Sequence, residues 1–398
     1  MITVLKDAIL IDGTGRQPLE NSLVIIEDGT ISYAGDGEKV RLPESADIID
    51  LAGKTVIPGL IDIHIHMDLH GMADTYAENL VEDKLRAIRA AREMRDTLLS
   101  GITTVRNCGS VNFIDIAVKE AIAAGWCEGP RILASGKIIS ITAAGNDYFL
   151  GMYREADGCD EVRKAAREQL KAGADFLKLM ATGAYMNPGG IPGASQLSRE
   201  EMAVVVEEAA KLGLRVAAHA HGKKGIIDAI EAGVATIEHG TFIDNEVIEL
   251  MLERGTFLVP TYVVGHLFEK YASGAGIPEF MIEKNKETEQ LFKDNLRRAI
   301  KAGVKVAFGS DAGTNFNYHG RNALELVLLV DEGFMTPVQA ICSGTMVSAE
   351  AIGLEQSIGT IEVGKAADLV VINGLLDNSL QALLDGVEAV YKGGCRVR

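Results

Sequence analysis

Gly59-Leu-Ile-Asp-Ile-His-Ile-His66 is the stretch that decides how this chain is read. It is apolar and strand-like, and it ends in two histidines one residue apart. Residues i and i+2 of a β-strand point to the same face. His64 and His66 can therefore reach one ion together, while Ile63 and Ile65 pack the other way. A single His-x-His is equally compatible with a strand that happens to end in histidines, so its surroundings must decide.

On either side of this stretch, Pro58 to Ser357 alternates apolar strand-like runs with helical patterns, which points to parallel βα units. Eight strands are expected: Leu60–His64, Thr103–Asn107, Arg131–Ala134, Phe176–Met180, Arg215–His219, Ala235–His239, Phe257–Pro260 and Lys305–Gly309. Apolar residues at i, i+3, i+4 predict helices over Glu82–Leu99, Cys159–Ala172, Ser198–Leu212, Lys224–Ala232, Asn245–Arg254 and Glu283–Ala302. Ser198-Arg-Glu-Glu201 reads as a capping box, and Gly follows the helical run after Ala172, Leu212, Ala232 and Ala302. Eight such units fit an α/β fold of the (β/α)8 TIM-barrel type. An open doubly wound sheet is the rival, but no G-x-G-x-x-G follows an early strand.

The ends of the chain have a different texture. Residues 1–57 and 358–398 are short β-rich segments broken by turns such as Asp12-Gly and Asp28-Gly. They are expected to join into one small β-sandwich domain flanking a barrel over 58–357. Composition excludes several function classes. The 398 residues are 47% hydrophobic and carry a net charge of -17, which argues against nucleic acid as a partner. The five cysteines are scattered and form no C-x-x-C, so neither a disulfide framework nor a thiolate zinc site is expected. No basic-then-apolar leader and no apolar run of about 20 residues is seen, so the expectation is a cytoplasmic protein without a membrane partner.

The metal-capable residues fall at the C-terminal ends of the expected strands. His64 and His66 close the first, Lys178 lies in the fourth, His219 ends the fifth, His239 the sixth, and Asp311 follows the eighth. That is the face on which barrel enzymes keep their chemistry. Taken singly, a histidine is often a hydrogen-bonded core residue and an aspartate a helix cap. A lysine in an apolar strand must be paired, neutral or modified.

As a set, these residues resemble the amidohydrolase superfamily over essentially the whole chain, including Val56-Ile-Pro-Gly-Leu-Ile-Asp62 and Gly364-Lys-Ala-Ala-Asp-Leu-Val-Val371. Lys178-Leu-Met-Ala-Thr-Gly183, Ile237-Glu-His-Gly-Thr241, Val259-Pro-Thr261 and Gly309-Ser-Asp-Ala-Gly313 are similar to the imidazolonepropionase-like group, which includes prolidases and Xaa-Arg dipeptidases of the metallocarboxypeptidase type. The resemblance implies two Zn2+ per chain. His64, His66 and Asp311 would hold one, His219 and His239 the other, with N-carboxylated Lys178 and a hydroxide bridging them. It implies hydrolysis of an amide C–N bond in a small substrate such as a dipeptide or N-acyl amino acid, with Asp311 as ligand and proton shuttle. His221 is placed at the substrate, in a catalytic or binding role, or in a supporting one. Tyr185, Tyr262 and Arg321 are candidate substrate contacts, Arg321 as the partner of a substrate carboxylate. A homo-oligomer is compatible with the resemblance.

Related peptidases carry a histidine in the loop after strand 3, where this chain has Gly145 in Thr142-Ala-Ala-Gly-Asn-Asp147. Hydrolysis of a cyclic amide (a lactam, imidazolone or ureide) therefore stays open. So does a mononuclear deaminase, although that class generally lacks the bridging lysine. A non-catalytic scaffold is the third reading, and the complete ligand set argues against it.

Overall fold

The two ends of the chain share one sheet. The structure, a computed structural model, describes residues 2–37, 40, 42, 45–275, 279–376 and 378–398. Strands β1 (Ile2–Leu10), β2 (Leu19–Glu27), β3 (Thr30–Asp36), β4 (Asp47–Asp50) and β5 (Lys54–Pro58) come from the N-terminal part. β6 (Leu60–Ile65) follows directly and belongs to the next layer. β15 (Leu369–Asn373), β16 (Val387–Lys392) and β17 (Cys395–Arg396) return from the far end, and β15 lies antiparallel to β5 with Val371 opposite Val56. The result is a single eight-stranded sheet in the order β17-β16-β15-β5-β1-β2-β3, with β4 on the side of β1. Strands from the two ends of the chain thus pair directly in this sheet. β1 has register irregularities after Lys6 and Ala8, and it pairs with β4 before them and with β5 after them. Such irregularities bend a strand and re-aim its pairing.

Between the ends run the parallel strands β6, β7 (Ile102–Asn107), β8 (Arg131–Ala134), β9 (Ile138–Ser140), β10 (Tyr153–Glu155), β11 (Leu177–Met180), β12 (Val216–Ala220), β13 (Thr236–His239) and β14 (Phe257–Val259). They form a three-stranded sheet β6-β7-β8 and a six-stranded sheet β10-β9-β11-β12-β13-β14. Most of these strands are short, buried and rich in apolar residues, as strands covered on both faces must be, whereas β10 (Tyr-Arg-Glu) is partly exposed. Seven of the expected strands are present to within a residue or so at each end. β9 and β10 were not expected, because three residues inside a loop carry no periodic signal.

The expected strand at Lys305–Gly309 is not formed, and the strands among the described residues make no closed ladder. The backbone there divides its bonds. Leu258 N donates to Lys305 O, Ile63 N donates to Phe308 O, and Phe308 N turns away to Ser343 O and the Ser348 hydroxyl. Isolated bridges Leu258–Val306 and Ile65–Ala312 nonetheless tie this segment to β14 and β6.

The helices follow the apolar periodicity. Cys159–Ala172 and Asn245–Arg254 match their expected limits, and Arg199–Ala210 starts at the capping box, where Ser198 Oγ and the Glu201 carboxylate each bond the other's backbone N–H. That helix ends two residues early, with Leu212 exposed. Gly309 matters because backbone and core meet there. A Cβ at this position would lie 2.3 Å from Val259 Cγ1 and 2.7 Å from His64 Cβ. Gly309→Ala is expected to lower stability by about 1–3 kcal/mol through overpacking. An unchanged midpoint in chemical denaturation would show that the segment can yield.

Candidate metal centre and active site

β6 and the residue that follows it carry a ladder of three polar side chains. Asp62, His64 and His66 alternate with Ile61, Ile63 and Ile65, and all six are buried. Asp62 sits at the base and accepts from His64 N (3.1 Å), Ser310 N (3.0 Å), the Ser310 hydroxyl (2.5 Å) and Asn322 Nδ2 (2.8 Å). It thus joins β6 to the loop that carries Asp311. Burial pushes its carboxyl up to about 6, opposed by these donors.

Above Asp62 the imidazoles are oriented by their Nδ1 atoms. His64 Nδ1 lies 2.6 Å from Glu238 Oε2, and His66 Nδ1 lies 3.2 Å from Gly109 O. A carboxylate and a carbonyl accept only, so both rings carry the proton on Nδ1 and turn a bare Nε2 inward. These Nε2 atoms lie 3.6 Å and 3.5 Å from Asp311 Oδ1. On the next strands His239 Nδ1 meets the Thr261 hydroxyl at 2.7 Å, and His221 Nδ1 meets the Thr241 hydroxyl at 2.8 Å. Ring centroids run 5.2 Å from His64 to His239 and 4.6 Å from His239 to His219 and from His219 to His221. Burial pulls all five imidazoles below their usual range, helped by the Lys178 charge, with His66 at about 4 and His221 at about 3. They are neutral at pH 7, the state in which imidazole binds a metal.

Three of the nine non-glycine residues with positive φ among the described residues fall in this cluster. His239 has φ 71°, Thr261 φ 50° and Asp311 φ 56°. Non-glycine residues adopt such angles at a cost of order 1–3 kcal/mol, typically where function holds them. At His239 the reason is visible. Glu238 and His239 are consecutive, so a regular strand would send them to opposite faces. The positive φ breaks the alternation, and His239 joins the site while Glu238 bonds His64 beneath it.

Glu238 was not singled out from sequence. It is fully buried and bridges His64 to Arg106, whose Nη2 lies 2.7 Å from Oε1, and it also takes the Thr236 hydroxyl. Burial pushes its carboxyl up, but Arg106 and His64 more than offset this and hold it well below the usual range. A glutamate in an apolar strand is the signal that could have found it, by the reasoning applied to Lys178. Glu238→Gln leaves the buried Arg106 unpaired. It should cost about 3–5 kcal/mol of stability and weaken metal binding by about 10–100-fold. Unchanged thermal denaturation together with unchanged zinc titration would remove Glu238 from this role. Cys108 also lies near His64 and Glu238. Burial pushes its thiol up to about 12, so it remains protonated and is no thiolate ligand.

The donor set fits a metal. His219 Nε2 and Asp311 Oδ1 are buried without hydrogen-bond partners, which is costly unless an ion completes them. His219, His221 and His239 converge as one group, and His64, His239 and Asp311 as another. Lys178, 1% exposed, reaches the same cavity and makes no ion pair among the described residues. The cavity, about 1180 Å³ including its open mouth, also receives Tyr185 and Tyr262. Tyr185 stands edge-on to His221 at 4.7 Å and donates to Thr288 Oγ1. Arg321 is a correction. It is exposed and lines a different pocket beside Asp96 and Leu99. It lies ten positions after Asp311, and the intervening turn brings it to a pocket bordered by the C-terminal end of the helix Asp83–Leu99. Sequence reading also passed over Tyr153, Asn187 and Phe292, which line the cavity from irregular or distant segments.

Residues 55–397 match the family model described as "Amidohydrolase family". The chain belongs to the amidohydrolase family. Ochratoxinase of Aspergillus niger is 32% identical over 428 aligned positions, covering 99% of this chain and 86% of that protein. A crystal structure of a Xaa-Pro dipeptidase with bound methionine in the active site superposes with a TM-score of 0.92 at 36% identity, over 100% of both chains. A prolidase complexed with N-methylphosphonate-L-proline gives 0.91 at 32% identity, again over 100% of both. The family resemblance read from the motifs is borne out, and this amidohydrolase is an enzyme that hydrolyses carbon–nitrogen bonds. Its family generally works with a metal centre. No helix among the described residues is long and apolar enough to cross a membrane.

Proposed function

We propose that this chain is a binuclear zinc amidohydrolase cleaving an amide bond in a small substrate such as a dipeptide or N-acyl amino acid. The observation that carries this is the convergence of neutral, Nδ1-anchored histidines on unpartnered Asp311 Oδ1 and His219 Nε2. In this reading His64, His66 and Asp311 would hold one ion, His219 and His239 the other, and Lys178, as a carbamate, would be a ligand shared between them. A carbamate replaces an ammonium that would repel cations by an anion with two oxygens to share. Bound zinc would polarise the scissile carbonyl and lower the pKa of the attacking water. Asp311 takes the proton of that water as its oxygen bonds to the acyl carbon, and returns it to the nitrogen as the C–N bond breaks. The second proton stays on the new carboxylic acid. Tyr185, Tyr262 and His221 line the place where substrate would lie.

We further infer that the two parallel sheets, tied through residues 305–312, belong to a (β/α)8-type barrel over 58–357. The terminal sheet, 1–57 with 358–398, is read as the small β-sandwich domain, supported by the change of β1's partner from β4 to β5 at its register irregularities. Screening zinc-loaded protein against dipeptide, N-acyl amino acid and cyclic amide libraries tests the function. Turnover confined to cyclic amides would replace the linear-amide reading by the ring-hydrolase one. Turnover in none of the three would count against both.

A further inference from the structure

The loop after β9 and the loop after β11 interlock at the mouth of the cavity. Gly145 has φ 85°, and a Cβ there would lie 2.6 Å from Pro188 O and 2.8 Å from Asn187 Cβ. No side chain fits at 145 unless 187–188 moves. The space that a histidine would take in this loop is therefore filled from the other loop, and the residue it delivers to the cavity is Asn187.

Asn187 is 2% exposed. Its Nδ2 donates to Asn146 Oδ1 at 3.4 Å, and Asn146 is itself fixed by Ile141 O (3.0 Å) and Glu155 (2.8 Å). The Tyr153 phenol lies against the carboxamide, pushed up to about 12 by burial, so it stays neutral. Asn187 Oδ1 has no donor in hydrogen-bonding geometry. A buried, rigidly held acceptor without a partner in a ligand-sized cavity points to a donor on the ligand. The surrounding wall is apolar, with Phe149, Met152, Met186, Phe268 and Phe292. Among the described residues, Lys178 is the only cationic side chain lining the cavity, and Glu289 on the outer wall is ion-paired with Lys293 at 2.9 Å. Arg321, the expected carboxylate partner, lies elsewhere.

We propose that this part of the cavity binds an uncharged, apolar substituent of the amide substrate, with Asn187 Oδ1 accepting from its one neutral N–H or O–H group. The preferred substrates are amides whose neighbouring carboxylate is masked, as in an N-acyl amino acid amide. This rests on the amidohydrolase reading of the site. A free carboxylate would lose its hydration against apolar walls and meet no cation there outside the metal centre.

The test compares an N-acyl-phenylalanine with its C-terminal methylamide, following release of the acyl group. Calorimetric titration of the unreactive N-alkylsulfonyl analogue of each runs alongside. The methylamide is expected to have a kcat/KM at least about tenfold higher, and its analogue to bind tighter by a similar factor. Asn187→Ala should cost the methylamide about tenfold in KM and leave the free acid within about twofold. Asn187→Asp, of the same size, should widen the preference, and it serves if the alanine variant does not fold. Equal or tighter binding of the free acid, or no change on substituting Asn187, overturns the proposal. If the calorimetric preference is found but neither amide is cleaved, the hydrolase reading fails and the binding assignment stands. If the amides are cleaved with the free acid preferred, the reverse holds.

Discussion

Asp311→Asn lowers kcat by about 10²–10⁴-fold while the metal-free protein melts at the same temperature as the parent. The expectation rests on geometry and on backbone. Asp311 Oδ1 lies 3.5 Å and 3.6 Å from the inward nitrogens of His66 and His64 and accepts no hydrogen bond from them. It is therefore available for a proton and an ion. The residue holds φ 56°, a region that asparagine tolerates at least as well as aspartate. The substitution keeps size and conformation, so a loss of turnover reports on the proton and the charge, not on folding. The backbone bond from Asp311 N to His64 O (2.7 Å) is untouched. Activity within about tenfold of the parent would remove Asp311 from the shuttle role.

Lys178→Met should lower activity by at least about 10³-fold and leave the apo protein no less stable. Oriented electrostatic groups in a water-poor site are worth that much in rate. Methionine matches the lysine stem in length and is apolar. It removes a buried charge from a strand whose neighbours, Leu177 and Leu179, are core residues. Without metal, losing an unpaired buried ammonium should be neutral or stabilising. With metal, losing the bridging anion should sharply weaken zinc binding. In Lys178→Ala, added acetate or propionate should restore part of both activity and metal content, because either supplies a carboxylate to the vacated space. A methionine variant that turns over normally would mean that Lys178 is a buried ammonium of no consequence to the reaction.

Much of the scaffold is legible because its strands are buried on both faces and read as continuous apolar runs. His64 and His66 follow from strand alternation alone, and Asp62 lies on the same ladder two residues earlier. The alternation rule fails at His239, where a left-handed backbone lets two consecutive residues, Glu238 and His239, both serve the site. Nothing in the local sequence announces that turn. The segment 305–309 has strand composition, but its amides are shared between two strands and the Ser343–Ser348 region, so it makes only isolated bridges. Arg321 illustrates the limit of reasoning from chain distance, because a turn after Asp311 carries it outside. Gly145 was legible as a departure from the peptidase pattern, but its consequence was not. Only the packing against Asn187 and Pro188 shows what fills that space.

A pair of metal ions held by side chains brought together from across the chain can be counted by metal analysis of protein purified without chelator, followed by zinc titration of the stripped enzyme. Two zinc equivalents per chain are expected, with amide hydrolysis appearing only as the second is bound. Full activity with a plateau at one equivalent would contradict the binuclear reading.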